Sequence, residues 1–104
     1  MGATLTVADQ KRAYTLSDRS TFLSRKKTLQ LVGLLEGDPE LLNLYHVLPV
    51  NPARFPPGRG NPAGGAALAE FLVGAEAQGA IGSFGREKFG EPLFVPDAGR
   101  TEAE

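Results

Sequence analysis

Residues 51–65, NPARFPPGRGNPAGG, carry four prolines and four glycines within fifteen positions. Proline fixes φ and removes a backbone donor, and glycine raises the entropy of the unfolded chain. Neither a helix interior nor a central strand passes easily through such a stretch. The chain therefore has to be built from what lies on either side of a long loop. Over all 104 residues there are 13 Gly and 8 Pro, which argues against a tight helical bundle.

The flanks predict an α/β chain. Ala13–Ser17 (AYTLS) has β-favouring residues and predicts a strand. Ser17 and Asp18 offer caps for a helix over 19–27, whose last turn places Arg25, Lys26 and Lys27 at the negative helix end. Leu29–Leu35 (LQLVGLL) is an apolar run of strand length, and Glu36–Pro39 (EGDP) is turn chemistry. Tyr45–Val50 (YHVLPV) predicts a strand that Pro49 pushes to a sheet edge. From Ala66, the residues Leu68, Phe71, Leu72, Ala75, Ala77, Ala80, Ile81 and Phe84 recur at helical spacing with a break near Gly74. This predicts two short helices or one kinked one. Glu91–Asp97 (EPLFVPD) predicts a closing strand, and Gly99–Glu104 a frayed polar tail. Leu29–Leu35 has few local partners in this order, so the chain alone is expected to expose it and to self-associate.

Several chemistries are excluded. Lys plus Arg number 11 and Asp plus Glu 12, a net charge of −1, which gives no footprint for nucleic acid or an anionic membrane. Without Cys there are no disulfides, thiolate metal sites or thiol nucleophiles, and one His rules out a multi-histidine metal site. His46 sits in an apolar strand with no Ser–His–Asp set suggested, and reads as a core or rim histidine; no enzyme is expected. Gly58–Ala63 (GRGNPA) fits a loose dinucleotide fingerprint, but Pro56 and Pro57 precede it and Pro62 interrupts it, so it reads as loop. Arg25–Lys27 reads as a solvated helix end, and Glu36 and Asp38 as turn residues. The first ten residues lack a basic stretch followed by an apolar core, so the chain taken by itself reads as cytoplasmic.

One segment has concentrated donor chemistry. Thr15–Thr21 (TLSDRST) gathers Ser17, Arg19, Ser20 and Thr21 at a strand-to-helix junction. Free N–H groups at a helix start, hydroxyl donors and one guanidinium suit a tetrahedral oxyanion. The same residues also serve a plainer purpose, with Ser17 or Asp18 capping the helix and Arg19 pairing with a neighbouring acid.

The blocks Ala13–Arg19 (AYTLSDR), Leu34–Pro39 (LLEGDP), Val50–Pro52 (VNP) and Pro92–Ala98 (PLFVPDA) resemble the C-terminal part of the tungstate-binding proteins of ABC importers, which are type II periplasmic binding proteins. The resemblance runs from about Met1 to Ala98. It implies a longer protein with two α/β lobes and an anion in the cleft between them. Residues 1–42 (strand–helix–strand) would then belong to the end of the second lobe. Residues 43–104 would return to complete the C-terminal part of the first, with the last helices. It also implies that a Thr/Ser-rich anion-binding turn and the principal anion-binding Arg lie in an N-terminal portion that this chain lacks, so the chain reads as a fragment. His46 departs from the family pattern, which has Gly there. The implied function is a solute-binding component for tungstate or molybdate, binding by hydrogen-bond donors without catalysis or cofactor. Its implied setting is extracytoplasmic, its partners an ABC permease and either a missing N-terminal half or further copies of the chain. The alternative is a small stand-alone interaction domain that binds no anion.

Overall fold

The computed structural model describes residues 1–100, and these are helical and irregular, with no strand among them. The chain divides into two compact units, Met1–Leu44 with Phe84–Phe94, and Tyr45–Ser83 with the segment that begins at Val95.

The first unit is organised by two helices, α1 (Gly2–Lys11) and α2 (Arg19–Arg25), which pack together. Helix α1 turns Leu5 and Ala8 inward, and Leu5 is 2% exposed. It stops at Arg12, whose left-handed backbone (φ 51°) lets its N–H reach the Asp9 carbonyl and that of Ala13 reach the Ala8 carbonyl. Helix α2 starts at its cap Asp18 and tightens into a 3-10 turn over Lys26–Thr28. The Arg25 guanidinium joins the two helices by donating to the Gly2 carbonyl and, at 2.9 Å, to Thr6 Oγ1. Arg25 is thus a half-buried tie between helices, whereas Lys26 and Lys27 are the solvated charges that the sequence suggests. Later in the chain a short helix α3 (Arg86–Phe89) is bracketed by Gly85 and Gly90, both at φ 86°. The N–H of Leu93, a buried residue, donates to the Phe84 carbonyl at 3.0 Å, and the Phe84 and Phe94 rings lie 6.1 Å apart.

The second unit rests on α4 (Pro62–Val73) and α5 (Ala75–Ser83), broken at Gly74 as the spacing predicts. Helix α4 begins four residues before the predicted Ala66. Proline fits the first helical turn, where its missing donor is not needed, and the Asn61 side chain caps by accepting from the Gly64 N–H at 2.9 Å. Gln78 ties the helix pair to the C-terminal segment. Its Nε2 donates to the Leu72 carbonyl (2.8 Å), and its Oε1 accepts from the N–H groups of Asp97 and Ala98 (3.1 Å each). Ala77 is the buried residue of this pair.

The expected α/β fold is not borne out among the described residues. Residues 13–17, 29–35, 45–50 and 91–97 are extended or irregular, and none joins a ladder among the described residues. A strand exists only when a neighbouring segment accepts its N–H groups and supplies theirs in a continuous ladder, and no such ladder forms among the described residues. Every residue from 32 to 68 is exposed, His46 included, so its core or rim placement is corrected as well. Helices α1 and α3 were not signalled by the sequence pattern. Of the expected frayed tail, residues 101–104 lie outside the described residues.

Candidate functional site

The donor-rich junction at 17–21 is well formed, and it already holds an oxyanion, namely the carboxylate of Asp18. Asp18 has extended backbone (φ −66°, ψ 145°) just before α2, the geometry of an N-cap. Its Oδ2 accepts from the Ser20 hydroxyl (2.7 Å), the Thr21 hydroxyl (2.7 Å) and the Thr21 N–H (2.8 Å). Donation by the Ser20 and Thr21 hydroxyls, and then by the Thr21 N–H, outweighs the opposing effect of burial and lowers the Asp18 pKa from 3.8 to about 2.

The four candidate residues are thus divided. Ser20 and Thr21 converge on one negative oxygen. Ser17 turns aside, its Oγ donating to the Asp18 carbonyl at 3.0 Å. Arg19 leaves the cluster, with Nη2 on Glu91 Oε1 at 2.6 Å and Nη1 on the Pro92 carbonyl at 3.0 Å. Arg19 therefore anchors the 91–92 segment within the first unit. Both members of this ion pair are close to half exposed, so it contributes at most about 1 kcal/mol. Glu91 was not singled out from the sequence, because the pair spans 72 positions and no local signal connects its members.

Two open hollows lie elsewhere among the described residues. One of about 420 Å³ lies between α1 and residues 13–15, lined by Val7, Lys11 and Tyr14 among others. Another of about 430 Å³ lies before α4, lined by Val50, Pro52, Phe55 and Arg59. Each has one cation on a mainly apolar wall, and neither collects the donors that a dianion needs. Among the described residues no cluster of three or more His, Asp or Glu could hold a metal ion, and no helix is long and apolar enough to cross a membrane.

The resemblance carried by the sequence motifs is borne out by two curated proteins. The chain is 43% identical over 100 residues to the tungstate-binding protein TupA of Peptoclostridium acidaminophilum, a match covering 96% of this chain and 34% of that protein. It is 44% identical over 103 residues to a protein of Haloferax volcanii named as an ABC transporter anion-binding protein, covering 94% of this chain and 29% of that one. Both relatives are thus named for binding. The chain spans about a third of the length of the curated relatives it matches. No family model and no solved structure matches it.

Proposed function

We propose that this chain supplies part of the solute-binding component of an ABC importer for tungstate-type oxyanions. It acts outside the cytoplasm, holds the anion by hydrogen-bond donors without catalysis, and delivers it to a permease. The observation that carries this reading is the 43% identity to a tungstate-binding protein across 96% of the chain. The reading assigns residues 1–42 to one lobe and 43–104 to the return into the other. The division between compact units after Leu44 supports that assignment, although residues 84–94 join the first unit. It also assigns the extended segments to sheets completed by sequence equivalent to the unmatched two-thirds of the relatives, which would restore the α/β architecture.

Within this reading Ser17, Arg19, Ser20 and Thr21 are the donors this chain offers. Ser20 and Thr21 reach a bound anion only if Asp18 swings out of their cluster, because two negative oxygens cannot share the same donors at close range. Arg19 reaches it only by leaving Glu91. The test is calorimetry with tungstate, molybdate and sulfate. It would use the chain itself and a chimera in which the chain replaces the matching segment of the Peptoclostridium acidaminophilum protein. The chimera is expected to bind tungstate. The chain alone is expected to bind far more weakly, since a hydrated dianion is not stripped of water by so few donors. A chimera that folds cooperatively yet binds none of the three anions refutes the reading.

A further inference from the structure

We infer that helix α4 and the segment before it, residues 45–73, form a docking surface for polypeptide equivalent to the two-thirds of the relatives that this chain does not match, and that this stretch becomes stable only when so covered. The two compact units differ in what they bury. The first holds Leu5, Ala8 and Leu93 inside, whereas Ala77 is the buried hydrophobic residue of the second among the described residues. Against that one methyl stand Tyr45, Leu48, Val50, Phe55, Leu68 and Phe71, all exposed, with Leu48 at 82% and Leu68 at 56%. Burial of apolar surface is the main favourable term in folding, and one alanine offsets little of the entropy of ordering two helices.

The exposed residues are not scattered. Val50 and Phe55 line the same hollow of about 430 Å³ as Pro62 and Gly65 in the first turn of α4, so segment and helix lie side by side. From Gly65, Leu68 and Phe71 follow at intervals of three, and an apolar stripe runs from the hollow along the helix. Glu70 is the one charged residue among the twelve of α4. A helix that is apolar nearly all round belongs inside a larger protein core, not on the surface of a small one. The relatives set the occupant. This stretch of sequence is 43% identical to part of a protein of which the match covers only 34%, so about twice its own length of further polypeptide accompanies it there. A covalently linked neighbour acts at an effective concentration of about millimolar, which a free second copy does not reach. The inference rests on the reading of this chain as part of a larger binding component. Its test involves no anion, so a chimera that covers this surface yet binds no tungstate refutes that reading alone.

Hydrogen exchange on the 104-residue chain is expected to leave the amides of residues 68–73 about tenfold or more less protected than those of residues 5–11 in α1. In the chimera with the Peptoclostridium acidaminophilum protein, the 68–73 amides should become at least as slow as those of α1. Leu48→Asp and Leu68→Asp should leave the melting of the isolated chain unchanged, because both side chains already face water there. In the chimera each should lower the melting temperature by about 4–8 °C, the effect of a large apolar side chain lost from a covered site. Equal protection of α4 and α1 in the isolated chain would overturn the inference. So would protection at 68–73 that rises with the concentration of the chain, which would make a second copy the occupant. A chimera that does not fold, that leaves 68–73 unprotected, or that tolerates both substitutions would overturn it as well.

Discussion

Replacing Asp18 by Ala tests how helix α2 begins and what its carboxylate contributes. Three donors converge on Oδ2 at 2.7–2.8 Å, and the pKa falls from 3.8 to about 2. At about 1.4 kcal/mol per pH unit that shift corresponds to about 2 kcal/mol at face value. Solvent screens so accessible a group, which reduces the figure to about 1 kcal/mol. Loss of an N-cap side chain independently costs about 0.5–2 kcal/mol, so two routes agree. Amide exchange at residues 22–25 is the suitable assay because it reads α2 alone. Asp18→Ala should accelerate exchange there by about fivefold. Asp18→Asn, which keeps a capping oxygen, should cost less. The folded carboxyl titrates below the unfolded one, so its stabilisation is complete above the ordinary 3.8 and is lost as the pH falls towards 2. Both variants should abolish that acid-side dependence. Wild-type exchange at residues 22–25 that stays constant through this window, or an Asp18→Ala chain indistinguishable from wild type, would show that the carboxylate does not hold the helix start.

Arg12→Gly should stabilise α1 by about 0.5–1 kcal/mol, because φ 51° suits glycine and strains arginine; urea denaturation followed by helical circular dichroism checks the sign. Gly85→Ala should destabilise the first unit by about 2 kcal/mol or more, since φ is 86° and the added methyl would sit 2.7 Å from Leu93 Cγ; an unchanged melting temperature would contradict this. Arg19→Ala should release the 91–93 segment, raising exchange at the Leu93 N–H while leaving residues 22–25 protected; the opposite pattern would place Arg19 in the α2 cap rather than on Glu91.

The local devices were legible because they act over a few residues. Asp18 as a cap, Gly37 at φ 80° in the Glu36–Pro39 turn, the break at Gly74 and the α2 helix all follow from side-chain chemistry within one turn of chain. The motif blocks were equally local, and the chain that carries them is 43% and 44% identical to the two relatives. The ties across sequence were not legible. Arg25 to Gly2 and Thr6, Arg19 to Glu91, and Gln78 to Asp97 and Ala98 join residues 19 to 72 positions apart. Such pairs form only once helices have placed their members side by side. The strands show the same division most plainly. Apolar runs at 29–35 and 45–50 carry a real preference for extended backbone, and the chain there is neither helical nor paired in a ladder. A sheet, however, is a property of two segments and the hydrogen bonds between them. Whether a neighbouring strand lies about 4.8 Å away is decided by tertiary structure alone, and among the described residues no ladder forms.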